Sequence, residues 1–124
     1  MRVSRLPPLL LLLATGCHSA FIDATLTNRT PQPISLVELD YPSASFGTQT
    51  LAPGASFHYR FKVLGSGPLK FLYTDPTQHD HTIAGPALHE SDEGALTVTL
   101  NPTGLDWTPT LTNRTATPLH APIP

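Results

Sequence analysis

Cysteine occurs once in the 124-residue chain, at Cys17. A lone thiol excludes an intrachain disulfide, so the fold must stand on its apolar core. Charge is also scarce. Seven Lys and Arg face nine Asp and Glu, for a formal net charge of −2. The basic residues are scattered, which excludes the electrostatic footprint that nucleic acid requires; no nucleic-acid partner is expected. No apolar run approaches the ~20 residues of a bilayer-spanning helix. No Gly-rich phosphate loop and no nucleophile-elbow motif occurs, since Gly65-Ser66-Gly67 has the look of a plain turn. These absences predict a non-catalytic protein without a cofactor.

The chain does have an organised start. Arg2 and Arg5 precede a short apolar stretch, Leu6 to Leu13, broken early by Pro7 and Pro8; Ala14-Thr15-Gly16-Cys17 follows. Two positive charges, a short apolar core and small residues before a cut describe a secretory signal over residues 1–16. The tetrapeptide resembles the bacterial lipobox, with Ala14 where Leu is usual. That resemblance implies a mature N-terminus at Cys17 carrying acyl chains on its sulfur and its amine. Several chains on one residue anchor stably, where one binds only marginally. It further implies a bacterial cell-envelope protein facing the periplasm or the surface. Position 18 is His rather than Asp, which favours the outer membrane where there is one. Residues 17–19 then form a lipid-bearing tether.

Without residues 1–16 the chain has 108 residues, the size of one domain, and a formal charge of −4. Proline is abundant and evenly spaced, with β-branched residues between. Proline is confined to strand edges, strand ends and turns, so this spacing predicts many short strands. Ile22, Ala24 and Leu26 alternate with Asp23, Thr25 and Thr27, the period of a half-buried strand. Val37, Leu39 and Tyr41 form a second such face, with Ile34 and Leu36 out of phase, as either a bulge or burial on both faces would produce. Phe46 marks a short edge strand. Leu51-Ala52-Pro53-Gly54-Ala55-Ser56 contains a type II turn signal and resembles a turn common in bacterial Ig-like modules. Phe57, Tyr59, Phe61 and Val63 define the clearest strand, predicted to form a hairpin with Leu69, Phe71 and Tyr73. Strands over 78–84, around Leu96-Val98-Leu100, and from Leu105 to Leu111 complete the set. A polar loop is expected over 86–94 and an interruption at Pro109. The fold class predicted is all-β, a single seven- to eight-stranded antiparallel Ig-like or fibronectin-like sandwich over 20–113, with a small barrel as the alternative. Residues 114–124 read as a Pro-rich tail.

Thr25-Leu26-Thr27-Asn28-Arg29-Thr30 recurs as Thr110-Leu111-Thr112-Asn113-Arg114-Thr115. Convergence of Thr-rich strands, a relic of duplication, or first and last strands lying side by side would each account for it.

Two candidate sites stand out. His79 and His81, two apart in a strand, share a face, and His89 with Glu90 and Asp92 would complete a Zn²⁺ or Cu²⁺ site. Trp107, with Tyr41, Tyr59 or Tyr73, would offer a stacking surface to sugars. The leading expectation is nevertheless a lipid-anchored module that binds an envelope protein or cell-wall material. A periplasmic metal-binding protein and a carbohydrate-binding module are the alternatives.

Overall fold

The computed structural model describes residues 19–113. The export segment, Cys17 and the tail 114–124 lie outside them. The described residues form eight strands and no helix: β1 (Ile22–Asn28), β2 (Ile34–Tyr41), β3 (Ala44–Leu51), β4 (Ser56–Phe61), β5 (Gly67–Thr74), β6 (Asp80–Leu88), β7 (Glu93–Asn101) and β8 (Gly104–Thr112). They make two four-stranded sheets, β4-β1-β7-β8 and β3-β2-β5-β6, packed as a sandwich of the Ig-like class.

Alternation places the core. Ile22, Ala24, Leu26, Leu96, Val98 and Leu100 face inward from the first sheet; Val37, Leu39, Leu69 and Phe71 meet them from the second. All of these side chains are less than 5% exposed, and each one larger than alanine contributes roughly 1.5–3 kcal/mol of transfer free energy. Of the two readings of β2, the bulge is the one present. Leu36 adopts φ +49°, the β2–β5 register shifts between Ser35 and Glu38, and Ile34 and Val37 both turn inward. Pro53-Gly54 makes the expected turn, with Gly54 at φ +78° and the Ala55 amide donating to the Ala52 carbonyl at 3.0 Å.

Several expectations are corrected. One ladder is parallel: β1 runs alongside β7, Ile22 against Gly94 through Asn28 against Leu100. β4 and β5 do not form a hairpin. β4 pairs with β1 in one sheet and β5 with β2 and β6 in the other, so residues 62–66 cross between sheets. The Gly-Ser-Gly-Pro segment resembled a hairpin turn locally, but alternation says nothing about which sheet a strand joins. β8 passes through Pro109 without interruption, because it is an edge strand bonded on one side only. β6 likewise continues through Pro86, so the polar loop shrinks to residues 89–92. The two copies of the hexapeptide are not neighbours: β7 lies between β1 and β8.

The asparagines of the two copies do share a role. Asn28 is fully buried at the exit of β1. Its Nδ2 donates to the carbonyls of Gln32 and Leu51, and its Oδ1 accepts from the Thr30 amide and hydroxyl. Asn113, just after β8, donates through Nδ2 to the Glu90 carbonyl and the Asp92 carboxylate. Each ties down a loop, at opposite ends of the sandwich.

Candidate functional site

Strand directions sort the connections into two groups. The start of β1, the end of β8 and the β2–β3, β4–β5 and β6–β7 connections lie at one end. The β1–β2, β3–β4, β5–β6 and β7–β8 connections lie at the other. This second, loop-bearing end holds a cleft of about 310 Å³ lined by Thr30, Gln32, Tyr73, Asp75, Asn101 and their neighbours.

Asp75 organises the cleft wall. It follows β5 and begins the β5–β6 turn, where an Asp readily accepts from amides two and four residues on. Its Oδ1 accepts from the Thr77 amide at 2.8 Å, the Thr77 hydroxyl at 2.7 Å and the His79 amide at 3.1 Å. Its Oδ2 lies 2.8 Å from Nε2 of His81. The His81 contact first, then the Thr77 and His79 donors, holds the Asp75 carboxyl well below the ordinary carboxylate range. The imidazole of His81 lies flat against Tyr73, centroids 4.6 Å apart and planes 10° off parallel. Nδ1 of His79 sits 2.7 Å from the Thr77 hydroxyl. The two expected histidines therefore do converge, on a carboxylate and a threonine.

His89 does not join them. It follows the far end of β6, separated from His79 by nine strand residues, or roughly 30 Å at the usual rise. There its amide donates to Asp92 at 2.8 Å, and the Asp92 carboxylate is occupied by Asn113. Glu90 and Asp92 belong to that same end. Among the described residues no group of three or more His, Cys, Asp or Glu is placed to hold a metal ion. The strand alternation read from the sequence does not reach His79, which precedes β6, and the nine-residue length of β6 carries His89 to the other end.

Trp107 closes a seam. It projects from β8 over Gly85 of β6, so closely that a Cβ on Gly85 would meet the indole ring at 2.5–2.6 Å. Trp107 is half-buried and packs against the core. The tyrosines are elsewhere. Tyr41 lies against Phe61, with ring centroids 4.2 Å apart, and Tyr59 stacks on Phe46 at 4.5 Å. These rings occupy the seam where β3 and β4 approach, so they share no platform with Trp107. Gly85→Ala should push the indole toward water. We expect its fluorescence to shift to longer wavelength with a modest loss of stability, and an unchanged spectrum would show that the ring does not depend on this glycine.

Asp75 also makes stability depend on acid. Its folded-state pKa is depressed, so its contribution is fully present above the unfolded value of about 3.9 and is lost as pH falls through the folded one. Urea midpoints of the wild-type chain and of Asp75→Asn should therefore differ at pH 7 and converge as pH drops below about 4. A constant gap across that range would rule out the carboxylate as the source.

Asp75-Pro76 reads as a loop opening in the sequence, and with Thr77 it has the composition of a side-chain-capped turn. Compared with family models, curated proteins and solved structures, the chain matches none at a significant level.

Proposed function

We propose that the chain is an exported module, held to a membrane face through Cys17, that binds a partner in the cell envelope rather than catalysing a reaction. The observation that carries this reading is the polarity of the sandwich. The first described residue, Ser19, comes two residues after Cys17, and β1 starts at the end opposite the cleft. An acyl anchor on Cys17 would hold that end toward lipid and turn the Asp75–His81 loops away from it. A rigid scaffold with its tether at one end and a polar cleft at the other suits capture of an envelope protein or of cell-wall material.

The test is metabolic labelling with a clickable fatty acid in a bacterial host. Label should enter the chain and be lost in Cys17→Ser. Persistence of label in that variant would refute the anchor, and export without any label would leave an ordinary secretory signal in its place.

A further inference from the structure

β2 carries two carboxyls on the outer face of its sheet. Glu38 and Asp40 follow the bulge two residues apart, while Val37 and Leu39 turn into the core. On one side β3 sets Gly47 against Glu38 and Ser45 against Asp40, so no charge meets the pair there. On the other side β5 sets Leu72 against Glu38 and Lys70 against Asp40. One strand further, β6 adds only Thr82 beside Leu72 and Ala84 beside Lys70. Asp80 and His81 share a shallow groove with Glu38, but Asp80 accepts from the Thr74 hydroxyl and His81 contacts Asp75. Lys70 is therefore the cation directly across from Asp40.

Oδ1 of Asp40 is shut off from water, and no N–H or O–H among the described residues donates to it. What the Asp40 carboxyl has within hydrogen-bonding reach is the carboxyl of Glu38. Two ionised carboxylates bring acceptors and no donor, so their contact is repulsive. It becomes a hydrogen bond once one of them carries a proton. Burial first, and then Glu38, raise the hold of Asp40 on that proton; Lys70 opposes them by charge alone.

We propose that Glu38 and Asp40 hold one proton between them, and that its loss turns Asp40 from Glu38 to Lys70, making the outer face of β2 a proton-operated switch with two pairings. In the first state Asp40 donates to Glu38 and the pair carries a single negative charge. In the second both carboxyls are ionised and repel. Asp40 then meets the ammonium opposite it, at ordinary cross-strand reach. Glu38 is left without a partner between two grooves, one running along Leu36, Ser45 and Gln49 and the other along Leu72 and Asp80, and it adds charge to both. Both pairings use side chains of one ladder, so the switch works without parting the strands. It does not depend on the anchor at Cys17.

Side-chain carboxyl ¹³C NMR of the full chain separates the two states. Asp40 and Glu38 should titrate together in two steps, the upper one above the ordinary carboxylate range. Lys70→Met should raise the upper step, and Glu38→Gln should lower the Asp40 midpoint and leave a single step. Two independent midpoints at ordinary values, or an upper step indifferent to Lys70→Met, would overturn the proposal. Stability gives a second readout. Asp40 holds its proton more tightly folded than unfolded, so its contribution is present below the unfolded value of about 3.9 and is lost as pH rises through the folded one. Asp40→Asn supplies Glu38 with a donor that needs no proton. Its urea midpoint should match wild type in acid and exceed it at neutral pH, the reverse of Asp75→Asn. An Asp40→Asn chain less stable than wild type at neutral pH would show that ionised Asp40 is already satisfied and that no switch exists.

Discussion

Asn28→Ala should cost about 2–4 kcal/mol of folding stability and lower the thermal midpoint by roughly 10–25 °C. Few single residues here are tied to so many parts of the fold. The side chain uses both amide hydrogens and accepts twice at its oxygen, with distances of 2.7–3.0 Å. Its backbone amide donates to the Ala55 carbonyl, and its carbonyl accepts from Gly54. Asn28 thus holds together the end of β1, the loop to β2, the last residue of β3 and the Pro53-Gly54 turn. Truncation leaves the carbonyl of Leu51, a residue 5% exposed, without its side-chain donor. A buried polar group left unmet costs more than the bond contributes when made. Urea unfolding with an unchanged slope and a shifted midpoint is the expected signature. A loss under about 1 kcal/mol would mean that water replaces the side chain.

Gly47→Ala should be of similar or greater size, roughly 3–4 kcal/mol. The reason is steric and lies wholly in the backbone. A Cβ on Gly47 would run into the carbonyl oxygen of Val37 on the adjacent strand, with the Val37 carbonyl carbon and the Glu38 Cα each at 3.0 Å. Side chains can rotate away from a new methyl group; a ladder at Glu38–Gly47 cannot without parting β2 from β3. Gly54→Ala is the control. Gly54 has φ +78° but open space around its Cα, so only the backbone preference is lost, about 1 kcal/mol. If the two variants unfold at the same urea concentration, the close approach at Gly47 is not real.

The class of fold was legible because alternation is a local signal. Ile22, Ala24 and Leu26 announced β1, and Leu96, Val98 and Leu100 announced β7, each by period two. Even the β2 bulge was visible as Ile34 falling out of phase with Val37 and Leu39. Sheet membership was not legible. Phe57–Phe61 and Leu69–Tyr73 have the same pattern whether they pair or face each other across the core. The prolines at 86 and 109 misled for a related reason, since their tolerance depends on a strand being at an edge. In the site, His79 and His81 meet through the Asp75 turn rather than through strand alternation, since His79 precedes β6, and His89 is carried away because a face says nothing about an end. The Gly85–Trp107 and Gly47–Val37 approaches had no local trace at all. Both are made between strands, one across the β2–β3 hairpin and one between the edges of the two sheets.

The parallel pairing of β1 with β7 has a kinetic consequence. β1 is the central partner of β4 and β7, and its β7 contacts close a loop of about 70 residues. Closing so long a loop costs chain entropy before any contact repays it, and folding slows accordingly. β1 has only its β4 side to pair with until Leu96 to Leu100 have arrived. A chain emerging from its N-terminus must therefore wait for nearly its whole length before its first strand finds a permanent place. Its folding rate should accordingly respond more to substitutions at Leu26 and Val98, which face each other in that ladder, than to changes in the β2–β3 hairpin.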